Sequence, residues 1–420
     1  MRTLFCFTKN LRLKDSPLLN EAVKNSTEMI FVISWRDLVQ RAGSFRKQFA
    51  LESVSQLQES LEARNQKLII TFLTLQEFIT LEVKNNIQQI AIEEDVNYEE
   101  QIHFQNIKKI ALEKNIKLLS KIDSTLTDFE KTWPVFKTKN IIFTEFRKQI
   151  EKNIHIPVLA ESISHFPSKF NSIQVDHLTT VSELQQNSSD KQGVFKGGEN
   201  SAQDHLKNYF KNPEVSKSYK LTRNGMLLFD DSTKFSPWLS LGCLSPREIY
   251  YELKNFEKRY GSNESTYWIF FELLWRDYFK YYAYFNKENL FLRTGIQNSK
   301  KPSLPQRLEM DLFKKWKAAA TGIDFIDANM IELKETGWMS NRGRQNVASF
   351  LVKTQNVDWR LGAYYFEEML IDYDCASNWG NWSYLAGVGT DPRDRIFNIE
   401  KQAHDYDPEK LYVKKWLKTE

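Results

Sequence analysis

Cysteine is scarce and scattered in this chain. Cys6, Cys243 and Cys375 form neither the paired spacing of a zinc site nor a disulfide framework, which fits a reducing compartment. No run approaches the roughly 20 apolar residues of a membrane-spanning helix. The opening MRTLFCFTKNLRLKDS becomes charged too early for a secretory signal peptide, so a cytoplasmic protein is expected. A net charge of only +4 excludes a polycation that holds nucleic acid by bulk charge, while leaving room for a local basic face. The first apolar strand is not followed by G-x-G-x-x-G, and the usual dinucleotide phosphate turn is therefore missing.

Aromatic surface, by contrast, is in excess. The 29 Phe, 17 Tyr and 11 Trp are more ring than a core requires, and many lie in the last 200 residues. Bulky helix packing is the default use of such rings, and a large planar ligand is another.

A length of 420 residues suggests two or three domains. Over residues 1–135, short apolar runs (TLFCF, MIFVIS, KLIITF, IQQIAIEE) alternate with helical patterns (SFRKQFALESVSQLQESLEARN, TLQEFITLEVKNN, YEEQIHFQNIKKIALEKN). That alternation predicts an α/β domain with a parallel sheet covered on both faces. Residues 136–200 read as a connector, rich in Ser, Asn, Gln and Gly beyond residue 160. Residues 201–420 read as a larger, mostly helical domain.

Several stretches of the helical half carry chemistry. In DDSTKFSPWLSLGCLSPREIY, Ser232, Thr233 and Ser236 can donate around a phosphate and Lys234 adds charge, while SPRE also reads as a capped helix entrance. Glu272 and Arg276 stand one turn apart, a spacing for an intrahelical pair or for two walls of a polar site. Asn341 and Arg344 share a helix face beside Trp338. Asp372 can neutralise a buried arginine, and Asp374 with Asn378 can either cap a helix or meet a ligand that holds an imide and a ring nitrogen. No third oxygen ligand is fixed beside the two aspartates, and no metal is expected. A redox role for Trp359, Trp379 or Trp382 would need a bound electron acceptor and short ring-to-ring steps, which periodicity cannot reveal.

The motifs STKFSPWLSLGCLSPREIY, FELLWRDYFKYY, GWMSNRGRQNVASFLVK, DWRLGAYYFEEMLIDYDCASNWGNWSYLAGVGTDPR and FNIEKQAHDYDPEKLYVKKWL occur in order across residues 205–420. In them the chain resembles the cryptochrome and photolyase family, and within it the DASH cryptochromes. LFCFTKNLRLKDSPLL and GSFRKQFALESVSQLQESL extend the resemblance to the N-terminal half.

The resemblance implies FAD in the helical domain. It puts Tyr219 and the Ser232, Thr233, Lys234, Phe235, Ser236 segment on the phosphate side and Glu272 with Arg276 on the next wall. Trp338, Asn341 and Arg344 would surround the flavin, Asp372 would pair with Arg344, Asp374 would meet the imide or ribose, and Asn378 would sit near the reactive ring nitrogen. Trp275 and Tyr384 match positions that face a flipped pyrimidine dimer; Tyr384 and Gln345 are similar to the DASH group. The implied activity is blue-light splitting of cyclobutane pyrimidine dimers, preferentially in single-stranded DNA, where the lesion avoids the cost of unpairing. A photoreceptor that binds DNA with little repair is the alternative, and the absence of a long extension after YVKKWLKTE favours repair.

This sequence departs from the family's pattern in two places. The donor series of three tryptophans matches at Trp382 and Trp359, but Gln306 stands near the third position, leaving Trp316, Tyr281, Tyr282 or Tyr284 as other exits. FCFTKN lacks an arginine usual at Thr8 or Lys9, and STLTDFEKTWPVF matches poorly. Group membership implies a methenyltetrahydrofolate antenna, for which Glu99 and Glu100 are candidate carboxylates; they also suit the acidic first turn of a helix.

Overall fold

Five of the six residues in RTLFCF are buried, and they form strand β1 (Arg2–Phe7). Leu4 and Cys6 face one side of the strand, Phe5 and Phe7 the other, and all four are buried. A strand covered on both faces belongs in a parallel sheet. The computed structural model describes residues 1–82, 86–132, 134, 141–153, 156–169, 177–186, 193–299, 303–391 and 396–418.

The chain divides into two compact units: Met1–Val135 with Lys152–Asn208 and Phe235–Phe256, and Phe136–Glu151 with Tyr209–Lys234 and Glu257–Glu420. In the first unit β1 pairs in parallel with β2 (Glu28–Ser34) and with β4 (Gln89–Glu93). Strand β3 (Leu68–Thr71) extends the β2 side and β5 (Lys117–Lys121) the β4 side, both in parallel. Two short strands inside the stretch read as a connector join this sheet: β6 (Ser168–Lys169) beside β2, and β7 (Leu178–Thr179), antiparallel, beside β3. Within that stretch, 136–140, 154–155, 170–176 and 187–192 lie outside the described residues, as do 83–85 of the second predicted helix and 133, 135 and 136 of the poorly matched motif.

Helices α1 (Pro17–Lys24), α2 (Ser44–Glu62), α3 (Leu75–Glu82) and α4 (Tyr98–Glu113) belong to the same unit. Phe78 and Ile79 of α3 and Phe104 and Ile107 of α4 pack with Leu4, Cys6, Ile30 and Ile90 in one core. Because β2 and β3 lie on one side of β1 and β4 and β5 on the other, the strand order reverses at β1. Such a reversal opens a crevice at the strand ends in an α/β sheet. The segment Phe235–Phe256 joins this unit through buried charge: Arg247 Nε donates to Asp15 Oδ2 at 2.9 Å.

The second unit is helical. It holds nearly all of α5 (Phe143–Asn153), then α6 (Pro213–Thr222), α7 (Glu264–Asn286), α8 (Gln306–Ala318), α9 (Asp324–Thr336), α10 (Asn341–Ser349), α11 (Trp359–Met369), α12 (Cys375–Ala386) and α13 (Leu411–Leu417). Among the described residues no helix is long and apolar enough to cross a membrane. Helix α12 is pressed between two neighbours. A Cβ at Gly380 would stand 2.3 Å from the Phe279 ring of α7, and one at Gly362 of α11 would stand 2.2 Å from the Trp382 ring of α12. Neither crossing admits a methyl group. Gly380→Ala is expected to lower stability by about 1–3 kcal/mol, read as a lower urea midpoint; an unchanged midpoint would mean that Phe279 swings aside at no cost.

Candidate functional site

Helix α7 carries Glu272, Arg276 and Lys280 at intervals of four, hence on one stripe. Glu272 does not use Arg276 as its ion-pair partner: Arg223, after α6, donates to its Oε1. Burial raises the Glu272 pKa and Arg223 opposes that rise. Tyr219, also buried, is part of this group, and its hydroxyl pKa is raised by burial and by Glu272.

Lys280 and Arg276 turn instead towards Asp374. Lys280 Nζ lies 3.5 Å from Asp374 Oδ2, and its side chain is 3% exposed. Burial alone would raise the Asp374 pKa, but Lys280, Arg276 and the Ser377 amide outweigh it and hold the carboxyl well below the usual carboxylate range. Asp374 is also the N-cap of α12, accepting from Ser377 N at 2.8 Å. Of the alternatives in the sequence, the capping role is the one made here, and Asp374 also lines a cleft.

Asn341, Arg344, Asp372, Asp374, Asn378 and Trp382 come together around an open cleft of about 90 Å³, with Gln345 also on its wall. Arg344 Nη2 donates to both oxygens of Asp372, at 3.0 and 2.9 Å, and its Nε to the Met339 carbonyl at 2.9 Å. Asn378 Nδ2 donates to the Ala363 carbonyl of α11 at 3.0 Å, which fixes the amide plane. The cleft therefore offers a fixed amide, a paired guanidinium and two carboxylates beside an indole, a donor and acceptor set suited to a polar heteroaromatic ring.

The other expected residues do not line that cleft. Lys234 has a left-handed backbone (φ 53°), donates to Ser232 Oγ at 2.8 Å and stands 4.5 Å over the Trp338 ring. Burial pushes its ammonium pKa down to about 8, and nearby Arg344 adds to this. A buried, under-compensated ammonium next to a serine and the half-buried Thr233 is chemistry that an anion such as a diphosphate would satisfy. Phe235 is buried and Ser236 exposed; the chain from Phe235 to Phe256 belongs to the α/β unit.

Trp275 and Tyr384 meet edge to face, with centroids 6.3 Å apart. One face of Trp275 is already occupied: Phe143 stacks on it at 3.7 Å with an interplanar angle of 10°. Phe143 was invisible to sequence reasoning, since α5 lies more than a hundred residues before Trp275. Glu332 was missed likewise. It accepts from the Tyr412 hydroxyl at 2.7 Å, holding α13 to α9, and its charge acts on Lys234.

Two family models match the chain: one described as the FAD binding domain of DNA photolyase, over residues 268–419, and one described as DNA photolyase, over residues 3–165. A DASH cryptochrome of Synechocystis sp. is 39% identical over 99% of this chain and 87% of its own length. One of Danio rerio is 37% identical over 99% of this chain and 83% of its own. The chain belongs to the cryptochrome and DNA photolyase family. Its structure is similar to the crystal structure of a Synechocystis cryptochrome, with a TM-score of 0.91 at 39% identity, covering 100% of this chain and 89% of that one.

In family terms, the helical unit contains the FAD-binding domain. Of the tryptophans expected in the donor series, Trp382 (2% exposed) edges the cleft and Trp359 (2% exposed) donates its indole N–H to the Arg293 carbonyl at 3.0 Å. Gln306 is exposed at the start of α8. Trp316 lies 6.3 Å from Trp382; Tyr281 and Tyr282 are buried, and Tyr284 is half-buried. In the α/β unit, Glu100 pairs with Lys9 and Glu99 with Arg41. Lys9 follows β1 and Glu100 follows β4, so this pair stands at the reversal of strand order, and Lys9 occupies one of the positions where the family usually has an arginine. Among the described residues no three His, Cys, Asp or Glu side chains assemble as a metal site.

Burial is the main reason that the Glu332 pKa is pushed up to about 7, against the pull of Tyr412, Lys234, Lys415 and Arg344. The folded protein thus keeps a proton that the unfolded chain releases near its ordinary value of about 4.3. The stability this contributes is complete below that value and is lost as pH rises through about 7. Glu332→Gln is expected to flatten this part of the stability–pH curve in urea melts taken across that window; an unaltered curve would remove Glu332 as its source.

Proposed function

We propose that this protein is a DASH-type photolyase that splits cyclobutane pyrimidine dimers under blue light, preferentially in single-stranded DNA. The observation that carries the reading is the cleft in the FAD-binding domain, where Asn378, the Arg344–Asp372 pair and the ionised Asp374 meet beside Trp382. Reduced FAD, when bound, supplies the light absorption and the single electron that opens the cyclobutane ring and is then recovered. Asn378 would hold its amide towards the flavin's reactive edge, Asp374 would accept from its imide or ribose, and Arg344, neutralised by Asp372, would set the field around it. Tyr219, Glu272, Arg276, Trp338 and the segment Ser232, Thr233, Lys234 would complete the binding set within the helical unit, with Lys234 answering a phosphate charge.

Trp275 and Tyr384 receive the flipped pyrimidines by stacking. A lesion in a single strand has no partner to leave, so this reading expects it to be bound more tightly than the same lesion in duplex. A methenyltetrahydrofolate antenna belongs to the same reading, and the crevice at the strand-order reversal, with Lys9 and Glu100 at its edge, supports it. A cytoplasmic location is consistent with three buried cysteines, none of them in a disulfide.

The stack of Phe143 on Trp275 favours a second reading, because it fills a face that a lesion base would use. A blue-light photoreceptor that binds DNA with little or no repair has no need of that face.

Extraction of the protein after reconstitution should release FAD in one-to-one ratio, and a preparation that retains none would end both readings. Reduced protein illuminated with a defined dimer should restore the bases in a single strand more than in matched duplex, against a dark control. Trp275→Ala should weaken lesion binding by about 1–3 kcal/mol, the worth of one stacked base, with FAD retained. No repair of either substrate by reduced, DNA-bound protein would leave the receptor. With folate added, an action spectrum of repair that follows flavin absorption alone would remove the antenna.

A further inference from the structure

The loss of the third tryptophan leaves a question about the second. Trp359 is only 2% exposed, so an electron vacancy there stays inside the protein and is readily refilled from where it came. A buried radical cation is also costly to hold. Gln306 has no ring to pass it on.

One described neighbour of Trp359 does. Trp379 of α12 lies edge to face with Trp359, with ring centroids 5.5 Å apart, and is itself 1% exposed. On its other side stands Tyr364 of α11, at 4.9 Å and 84°, and Tyr364 is 51% exposed. Three rings therefore run from the interior to water in two short steps. Trp379 and Trp382 sit three apart on α12, so the same helix carries the ring at the cleft and the middle ring of this series.

A rival branch starts at Trp382 and runs through Trp316, 6.3 Å away, to Tyr365, another 5.7 Å on. Its last ring decides against it. Tyr365 is 4% exposed, and burial, with Glu368 adding to it, pushes its hydroxyl pKa up to about 12. A phenol that loses an electron must lose its proton as well if the vacancy is to be trapped, and Tyr365, at 4% exposure, offers that proton far less water than Tyr364 does at 51%.

We infer that Tyr364 is the terminal electron donor of this chain and that Trp379 relays between it and Trp359. This rests on the proposed reading, in which Trp382 and Trp359 feed a flavin in the cleft. The oxidant is that photo-excited oxidised flavin, which takes up one electron. Tyr364 gives one electron to oxidised Trp379 and its phenolic proton to water, and a thiol in the medium then returns one hydrogen atom to the phenoxyl radical.

The test uses the FAD-loaded protein and the variants Tyr364→Phe, Trp379→Phe, Tyr365→Phe and Trp359→Phe, which keep a ring at each place; FAD occupancy and melting temperature serve as folding controls. Transient absorption and electron paramagnetic resonance after a light pulse should show a tyrosyl radical in the parent and in Tyr365→Phe. Its loss is expected in Tyr364→Phe and Trp379→Phe, with a tryptophan radical left that decays faster. A spin trap present during illumination should be found attached at Tyr364 by peptide mass spectrometry. If Trp359→Phe abolishes radical formation while Tyr364→Phe and Trp379→Phe match the parent, the relay is wrong and the Trp382–Trp359 reading stands. If Tyr365→Phe alone removes the tyrosyl signal, the other branch is the exit and the inference falls. Unchanged radicals in Trp359→Phe would overturn the relay together with the reading beneath it.

Discussion

The helical unit is organised by how closely α12 can approach its neighbours. At Gly380 the backbone of α12 meets the Phe279 ring, and at Gly362 the backbone of α11 meets the Trp382 ring; each gap closes to a distance that no Cβ tolerates. The two contacts fix α12 in translation and rotation against α7 and α11. Every candidate group on α12 inherits its position from them: Asn378 reaches the Ala363 carbonyl, Asp374 at the helix start reaches Lys280, and Trp379 slots against Trp359 and Tyr364. The charges of the cleft could not meet without that steric permission.

Once the helices are close, electrostatics decides what the cleft can hold. Asp374 is buried, yet the cations of α7 keep it ionised, and Asp372 is tied through both oxygens to Arg344. At Lys234 burial outweighs the pull of Asp231, Glu332 and Asp230 and drives the ammonium towards its neutral form. The carboxylates are thus settled before any ligand arrives, whereas the ammonium gains by acquiring an anion. An asymmetric partner with a polar ring at one end and phosphate at the other suits both conditions, and this is the physical content of the FAD assignment in this chain.

The sequence revealed the α/β half through four apolar runs and three helical patterns, because buried parallel strands are continuous in hydrophobicity. It missed β5, whose KLLSK carries lysines at both ends and is mostly half-buried at the sheet edge, and it missed α1. In the helical half, residue identity was legible from ordered motifs, and the pairing of Arg344 with Asp372 follows those motifs. Partnerships between distant segments were not legible. The four-residue spacing of Glu272 and Arg276 suggested a local pair, but Arg223, forty-nine residues earlier, takes Glu272 and leaves Arg276 to act on Asp374. Lys280, Glu332 and Phe143 escaped for the same reason, since no local pattern encodes a contact made across the fold.

The excess of rings can now be divided by exposure and orientation. Trp275 and Tyr384 are half-buried, and Trp275 lies flat, face on face, against the buried Phe143, as nucleobases do. The buried Trp359 and Trp379 meet edge to face, and the half-buried Phe291 meets Trp379 in the same way. Flat stacking of partly exposed rings can be exchanged for stacking on a base, at the cost of displacing Phe143. Edge-on packing in the interior admits no guest and instead keeps neighbouring rings at fixed short distances. The first set is therefore suited to recognition and the second to passing charge.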